Sequence, residues 1–463
     1  METEADIVVV GGGIAGVTCC ETLAFLGPNL KIILITKSQL IKTVTNLVAI
    51  TKTIVNFDVE EKNAETLHEK YSNVTIIFDT LLEIISHEKT IRTESNRCIK
   101  YKFVCLCMGG QPKLIDFNNK FVLGIRDTDS VSILQDRIKS SRKILIVGNG
   151  GIATELVYEL KNIEIIWAVK DNFISSTFLD PGAAEFFQFK MKDADASGQA
   201  KTIVKRLRYS EIGNGSRSGG VALGPDWHTK FDISGTCSKS VSIIYNSEIE
   251  QVTHLENEEW PLSVRLTNGT CVECDLIVSA TGVLPCSNIK TDQELKLAAD
   301  GGIEVNGQME TSISGVYAAG DVCTANWEHA KHWFQMRLWS QARQMASYAA
   351  KSIISRIQDE QVLQDFCFEL FSHSTTLFGF KVILLGLFNG QKLHNQYECL
   401  VRITPNMEYI KLVIQDGKIQ GAILIGDTDL EETMENLILN QLDVSVYGED
   451  LLNPDIDIED YFD

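Results

Sequence analysis

The chain of 463 residues is longer than one hydrophobic core usually supports, so two or three domains are expected. Hydrophobic residues make up 44% and charged residues 22%, an ordinary balance for a globular protein that excludes wholesale disorder. The formal net charge of −20 argues against direct nucleic-acid binding, because phosphates would be repelled.

The sequence indicates neither a membrane protein nor a secreted one. No apolar stretch reaches the roughly 18 residues that a membrane helix needs, and the acidic residues 1–6 run directly into a predicted strand. The 12 cysteines are thinly spread, which is more typical of a reducing compartment than of a disulfide framework. We therefore expect a cytoplasmic and nuclear protein.

A strand, a tight turn, a helix and a second strand are predicted over the first forty residues. The turn contains Gly11, Gly13 and Gly16, which let a pyrophosphate approach the backbone and the helix pack close to the strand. The pattern predicts a Rossmann-like dinucleotide-binding unit. The second strand usually ends in an acid that holds a ribose hydroxyl, but Thr36 stands there and would bind more weakly.

The same order of elements returns at 142–169 and predicts a second dinucleotide-binding unit. Its turn carries Gly148, Gly150 and Ala153, and alanine is an accepted variant at the third position. Glu155 follows just inside the helix. The second strand again lacks a terminal acid, so the choice between NAD and NADP is not indicated. Lys170 is either a ligand for a 2′-phosphate or a solvated side chain.

The pattern then breaks into polar sequence at about 190–240, which we interpret as an insertion. A hairpin is predicted at 261–278 from Asn268-Gly269 between two alternating runs. Cys271 and Cys274 in its second strand have the spacing of a redox pair or a zinc half-site. An odd separation along a strand points them to opposite faces, and no further ligands match, so we predict no metal site.

Strands are predicted at 366–371, 381–388, 398–404, 408–415 and 419–425, followed by a helix from about Asp429 to Leu442. These elements suffice for a small α+β domain. From residue 443 to the end the sequence is acidic and has no Lys or Arg. Such a tail is either solvated or docks on a basic partner.

Three further segments carry the pattern of one family: 107–112, 275–282 and 315–322. With the two glycine fingerprints, they make the chain resemble the pyridine nucleotide-disulfide oxidoreductase superfamily, flavoproteins with two dinucleotide-binding domains, over about residues 5–350. The resemblance implies an α/β fold with two Rossmann-like domains, for FAD and NAD(P)H, before the small α+β domain.

The resemblance also implies a division of the chain. We expect the FAD-binding domain at 1–125 and 276–358, the NAD(P)H-binding domain at 126–275, the C-terminal domain at 359–442 and the acidic tail at 443–463.

Several cofactor ligands are carried over by the resemblance. The Gly-Asp motif places Gly320 and Asp321 at FAD, and a carboxylate at a strand end can accept a hydrogen bond from a ribitol hydroxyl. The resemblance also places these residues near the cofactors: Gly109, Thr281, Gly282 and Gln341. Lys42, like Thr45, lies where flavin-facing residues are expected.

One departure from the family bears on function. Its disulfide reductases carry a Cys-x4-Cys pair beside the flavin, whereas residues 38–50 here contain no cysteine. We therefore expect an FAD-dependent NAD(P)H oxidoreductase without the usual redox-active disulfide. Two alternatives stay open: a thiol-disulfide reductase that uses Cys271 and Cys274, and a binding module that NAD(P)H controls with little turnover.

A partner is implied by a further resemblance, to a eukaryotic branch of the superfamily, in segments 11–19, 222–228, 333–345 and 424–441. It implies that the protein associates with the catalytic subunit of the tRNA ligase complex when reduced nucleotide is present. This association guards the metal-dependent active site of the ligase from oxidation. The acidic tail at 443–463 is the candidate contact, since its charge suits a basic cleft. The C-terminal domain differs in type from the usual dimerisation module and is compatible with a monomer.

Overall fold

The computed structural model describes residues 3–191, 203–207, 239–255, 259–394 and 396–455. Two mainly parallel sheets are each built around one glycine fingerprint, and a third, antiparallel sheet belongs to the C-terminal domain. The expected α/β class with two Rossmann-like units is confirmed. None of the described helices combines the length and the apolarity that a membrane span requires.

The first unit is built around a central strand that is apolar along its whole length. Its elements are β1 (Thr3–Glu4), β2 (Ile7–Val10), α1 (Ile14–Leu26), β3 (Ile32–Thr36), β4 (Leu40–Ala49), β5 (Val55–Asn63), α2 (Glu65–Lys70), β6 (Val74–Phe78), β7 (Leu81–Ile85), β8 (Thr90–Thr93), β9 (Cys98–Lys100), β10 (Phe103–Leu106), β11 (Gly110–Pro112) and β12 (Val122–Leu123). Strand β2 pairs in parallel with β3 and β10 and is buried on both faces, as central parallel strands are.

The second unit follows the same rule around its own central strand. Its elements are α3 (Thr128–Ile138), β13 (Lys143–Val147), α4 (Gly151–Glu159), β14 (Glu164–Ala168), α5 (Pro181–Met191), β15 (Ile203–Leu207), β16 (Ser240–Ile244), β17 (Ile249–His254), β18 (Leu262–Leu266), β19 (Cys271–Cys274) and β20 (Leu276–Ser279). The sheet order is β12-β20-β13-β14-β16. The predicted hairpin is confirmed as β18 and β19, with Gly269 at φ +85° in its turn.

The chain then returns to the first unit. The returning elements are β21 (Val283–Pro285), β22 (Lys290–Thr291), β23 (Ile303–Val305), β24 (Val316–Ala318), β25 (Cys323–Ala325) and α6 (Trp339–Gln358). Strand β24 joins the first sheet beside β10. The two crossings between the units, β11 and β21, pair with each other in antiparallel fashion, so both connections form one ribbon.

The C-terminal domain is an antiparallel sheet covered by a helix. Its elements are a 3₁₀ turn (Phe366–Phe368), β26 (Ser372–Leu377), β27 (Phe380–Gly386), β28 (Glu398–Thr404), β29 (Glu408–Gln415), β30 (Lys418–Ile425) and α7 (Glu431–Asn440). The strand predicted at 366–371 is wrong: the Asp365 side chain accepts from the Cys367 N–H and caps the 3₁₀ turn, so the strand begins at Ser372.

The predicted insertion at 190–240 lies mostly outside the described residues. Its described part, β15, pairs with β28 and completes the sheet order β15-β28-β29-β30-β27-β26. A segment that comes from the second unit therefore forms an edge strand of the C-terminal sheet.

The acidic tail predicted from residue 443 begins later than expected. Val444, Leu451 and Leu452 are buried in the core of the C-terminal domain, and the Leu452 carbonyl accepts a hydrogen bond from Arg402 at 3.3 Å. These apolar residues between the acids fix the chain to the sheet. The last residues of the proposed tail, 456–463, lie outside the described residues.

The region where disulfide reductases carry their cysteine pair is a long hairpin here, formed by β4 and β5. Its tip reaches the C-terminal domain. Glu435 on α7 is fully buried and accepts hydrogen bonds from the Thr53 N–H at 3.0 Å, the Lys52 N–H at 3.1 Å and the Thr51 hydroxyl. The hairpin thus links the first unit to the C-terminal domain.

Candidate functional site

The first glycine loop has the shape of an anion-binding site. Gly11 has φ +117°, and a Cβ there would lie 2.2 Å from the Cys107 carbonyl oxygen, so only glycine fits. Gly13 is the N-cap of α1, and no side chain caps this helix end. A Cβ on Gly16 would lie 1.8 Å from the Gly11 carbonyl oxygen. The loop therefore leaves helix N–H groups open to a diphosphate.

Asp321 belongs to a second turn beside this loop and follows Gly320, which has a positive φ. A Cβ on Gly320 would lie 2.9 Å from Ala15 Cβ, so the Gly-Asp turn packs directly on α1. Burial raises the pKa of the Asp321 carboxyl, and the charges of Arg337, Arg126 and Lys42 oppose that rise. Among the described residues, none donates a hydrogen bond to this carboxylate. The Asp321 carboxylate can therefore accept a hydrogen bond from a bound ligand.

Lys42 is held beside the same loop. Its N–H donates to the Gly12 carbonyl at 3.0 Å, and its ammonium lies 3.4 Å from the Arg126 carbonyl oxygen. Burial lowers the pKa of Lys42, while Glu61, Asp127 and Asp321 raise it. Lys42, which is predicted to face the flavin, therefore lies on strand β4 near the Asp321 carboxylate.

Arg126 is a site residue that the sequence alone does not indicate. Its guanidinium lies 3.4 Å from the Met108 carbonyl oxygen, in the segment that follows β10. A capping box between Asp127 and Ser130 begins α3 directly after it and fixes its position, since the Arg126 N–H also donates to Ser130. The capping box is the only local signal that could have marked this position.

Arg337 is a second site residue that the sequence does not indicate. It is almost fully buried, donates from Nε to the Asp321 carbonyl at 2.9 Å and forms an ion pair with Asp300 at 2.7 Å. The Arg337 guanidinium therefore pairs with the Asp300 carboxylate, which also accepts from the Thr324 hydroxyl, and not with the Asp321 carboxylate.

The remaining predicted residues of the first unit take different positions. Thr36 lies against the loop, since a Cβ on Gly12 would meet its hydroxyl at 2.5 Å, and it donates to the Ser38 carbonyl. Gly109 has φ +68° and lies beside Arg126. Gln341 is buried and is bound to the backbone at 334–336, so its side chain is engaged by protein. All three remain predictions as cofactor ligands.

The second glycine loop repeats the geometry of the first. Gly148 has φ +131°, and a Cβ there would lie 2.1 Å from the Ala280 carbonyl oxygen. Gly150 is the N-cap of α4, again without a side-chain cap. Ala153 and Glu155 are buried on that helix. The structure therefore provides a second open helix N-terminus.

The loop residue between these two glycines is locked in place. The Asn149 amide donates to Asp171 at 2.8 Å and to the Phe173 carbonyl at 2.9 Å, and its oxygen accepts from the Ser175 N–H. Asn149 thus fixes the second loop to the segment after β14. Asp171 is consequently engaged by protein, and the exposed Lys170 at this strand end forms an ion pair with Glu248 at 3.9 Å.

Thr281 and Gly282 lie where the chain crosses between the two units. The Thr281 hydroxyl donates to the Lys113 carbonyl at 2.9 Å, and the Gly282 carbonyl accepts from the Lys113 N–H at 2.9 Å. Gly282 has φ +108°. Both residues therefore stabilise the β11–β21 ribbon that connects the two units. Their role as cofactor ligands stays a prediction.

The cysteines of the described residues are all free thiols. Cys271 is exposed and Cys274 is buried, on opposite faces of β19 as predicted. Cys105 Sγ lies 3.6 Å from Cys107 Sγ, fully inside the core. The described residues contain no group of three or more His, Cys, Asp or Glu side chains that could hold a metal ion.

Family models match most of the chain. The model described as pyridine nucleotide-disulphide oxidoreductase matches residues 5–211 and 237–346, and the one described as rubredoxin NAD+ reductase C-terminal domain matches 374–442. The second match coincides with the antiparallel sheet and α7.

Full-length relatives carry one name. A protein of Drosophila melanogaster called pyridine nucleotide-disulfide oxidoreductase domain-containing protein 1 is 49% identical over 475 residues, covering 100% of both chains. The Homo sapiens protein of that name is 45% identical and covers 100% of this chain and 98% of its own. The structure of the covalent putidaredoxin reductase–putidaredoxin complex is similar in fold, with TM-score 0.69, 14% identity and coverage of 100% and 99%.

Proposed function

The chain belongs to the pyridine nucleotide-disulphide oxidoreductase family, and on this premise we propose that it is an FAD-dependent NAD(P)H oxidoreductase that works without a redox-active disulfide. Proteins of this family use FAD and NAD(P)H. The observation that carries the proposal is the Asp321 carboxylate, which faces three cations without a hydrogen-bond donor. The carboxylate is partly exposed, so a bound ligand can reach it and donate the missing hydrogen bond.

The residues of the first unit fit FAD. The open N-terminus of α1 and the positive charges of Lys42 and Arg126 suit a diphosphate, and Asp321 suits a ribitol hydroxyl. When bound, FAD supplies an acceptor for the hydride of a reduced nicotinamide. The protein itself binds and orients the two cofactors and excludes water, since hydride transfer needs alignment more than it needs acid–base groups.

The second unit supports NAD(P)H binding. The N-terminus of α4 is open to a diphosphate, and Gly148 allows its close approach to the backbone. Lys170 is exposed, and its ion pair with the exposed Glu248 is long at 3.9 Å, so a 2′-phosphate can compete for it. We therefore propose that Lys170→Ala raises KM for NADPH more than KM for NADH, with kcat unchanged. Equal changes for both nucleotides would exclude this role.

Purified protein tests the cofactor assignment. We expect it to be yellow, and heat denaturation should release FAD close to one molecule per chain. Air oxidation of NADH and NADPH should then depend on the bound flavin. A colourless preparation that stays inactive after FAD is added would contradict the proposal.

The finer part of the proposal is a protective role for the tRNA ligase complex in cytoplasm and nucleus. The support is the acidic end of the chain, whose sign suits a basic nucleic-acid-binding cleft. Because Val444 and Leu452 are buried, a truncation that tests the tail must leave both residues in place.

A pull-down from cell lysate tests this partner. The full chain, with and without NADPH, is compared with a chain that ends at Asp455. We expect capture of the ligase catalytic subunit only with the full chain and reduced nucleotide. Equal capture by the shortened chain would exclude the tail as the contact, and no capture at all would exclude the partner. Nucleotide-dependent capture without turnover would favour the alternative of a binding module.

A further inference from the structure

A small cavity lies away from both glycine loops, between the β4–β5 hairpin, helix α6 and strand β26. Its polar lining includes Thr53, Ser340, Arg343, Gln344, His373 and Ser374. It is partly open to solvent, and its size suits one ion or water molecule. The residues belong to the first unit and the C-terminal domain, so whatever fills the cavity contacts both.

His373 lines this wall and carries one polar atom without a partner among the described residues. The ring is 8% exposed and stacks on Phe178 with centroids 5.8 Å apart. Nδ1 lies 3.3 Å from the Ser340 hydroxyl, while Nε2 is buried and has no hydrogen-bond partner among the described residues. Burial lowers the pKa of His373 to about 4, so the ring is neutral at pH 7. A Ser340 hydroxyl that donates to Nδ1 leaves the proton, and thus a donor, on Nε2.

Arg343 contributes a charge that no described residue neutralises directly. Its guanidinium is partly buried, and the described residues offer it no ion pair within 4.0 Å. Glu21 is close enough to influence it but pairs with Lys70 at 2.8 Å. Burial lowers the pKa of Arg343, as expected for a cation that lacks a nearby anion. A partly desolvated, unpaired cation is stabilised by any anion that can reach it.

The helix end adds to the same potential. Ser340 lies in the first turn of α6, a helix of 20 residues whose N-cap, Leu338, has no side chain able to cap it. The positive end of the helix dipole therefore meets the cavity from the side of Ser340. The N-terminus of α6, the Arg343 cation and the neutral His373 ring all lie at this cavity. None of the described residues that line it is a carboxylate.

We propose that this cavity binds a small monovalent anion of halide size, chloride under cellular conditions, through Arg343, His373 and the first turn of α6. The anion neutralises Arg343 and ties the hairpin to β26 across the domain boundary. Because a ligand that binds only the folded protein stabilises it by mass action, stability should depend on chloride concentration.

The flavin-loaded protein is melted in chloride that replaces gluconate at constant ionic strength. We expect Tm to rise by about 2 °C or more and to saturate. The rise should be lost in Arg343→Gln and reduced in His373→Phe, which keeps the ring on Phe178. It should persist in Arg356→Gln, a control with an exposed arginine on the same helix. No saturable rise, or the same rise in Arg343→Gln, would overturn the proposal.

Crystals of the wild-type holoprotein grown in bromide give a test that needs no variant. We expect an anomalous peak between Arg343 and the His373 ring. A water molecule without anomalous signal at that point, or bromide only at the exposed surface, would overturn the site. Neither result bears on FAD or NAD(P)H binding, because the cavity shares no residue with the two glycine loops.

Discussion

Lys411 Nζ lies 2.6 Å from Asp180 Oδ2, and both side chains are buried between the second unit and the C-terminal domain. The Tyr409 hydroxyl donates to Asp180 at 3.1 Å, and Lys411 also donates to Asn389 at 2.9 Å. Asp180 accepts the Ala183 N–H as well, at the start of α5. One carboxylate therefore joins a helix end of the NAD(P)H unit to a strand of the C-terminal sheet.

Removing one partner of this ion pair should destabilise the protein strongly. Lys411→Met keeps the apolar stem but leaves Asp180 as a buried charge with fewer donors. We expect a loss of about 3–5 kcal/mol in the free energy of unfolding, measured by urea denaturation. The control is Lys351→Met, which breaks a more exposed pair with Asp365 and should cost about 0–1 kcal/mol. Similar losses in the two variants would contradict a structural role for the buried pair.

The acceptor at Asp321 should determine how tightly FAD is held. Asp321→Asn keeps the size of the side chain but removes the charge that faces Arg337, Arg126 and Lys42. Since a hydrogen bond to a charged group contributes about 1.5–3 kcal/mol, we expect the Kd for FAD to rise roughly 10- to 100-fold. Fluorescence titration of the apoprotein measures it. Asp365→Asn serves as the control, and unchanged affinity in Asp321→Asn would place FAD elsewhere.

Stability should fall as the solution becomes acidic, because His373 is buried as a neutral ring. The unfolded chain takes up a proton near pH 6.5, whereas the folded ring does so only near pH 4. Lowering the pH through this window therefore favours unfolding, by up to about 3 kcal/mol from this group. We expect His373→Phe to flatten the pH profile of Tm between 6.5 and 4. A profile that is unchanged from wild type would show that folding does not lower the pKa of His373.

Cysteine chemistry should be dispensable for NAD(P)H oxidation. Cys271 and Cys274 lie on opposite faces of β19, so they cannot close a disulfide without moving the strand. We expect Cys271→Ser and Cys274→Ala, alone and together, to leave kcat within about twofold of wild type. The buried Cys274 variant should lose some stability, which a melting curve separates from activity. Loss of turnover in the exposed Cys271 variant would instead support the thiol-disulfide reductase alternative.

Local chemistry explains which parts of the fold could be predicted from the sequence. The order of strand, glycine turn and helix at Gly11 and Gly148 and the hairpin turn at Asn268-Gly269 depend on residues adjacent in the chain. The first strand of the C-terminal domain was predicted too early, because alternating aromatic residues mimic a strand and Asp365 as a cap was not recognised.

Long-range contacts explain what could not be predicted. Arg126 and Arg337 come near Asp321 because the chain crosses from the first unit to the second and then returns. No local sequence pattern predicts this arrangement. The buried Glu435 is bound by a hairpin tip almost four hundred residues earlier. Leu451 and Leu452 stand among acids, so composition indicated a tail that is either solvated or docked on a partner, whereas both residues pack into the C-terminal core.

The most direct test of an FAD-dependent NAD(P)H oxidoreductase without a disulfide is an anaerobic titration of the purified protein. We expect NADH or NADPH to bleach the flavin absorption band completely with one equivalent of nucleotide per flavin, since no second redox group takes up electrons. A flavin band that neither nucleotide bleaches would contradict the central claim, and a need for two equivalents would reveal a redox-active disulfide.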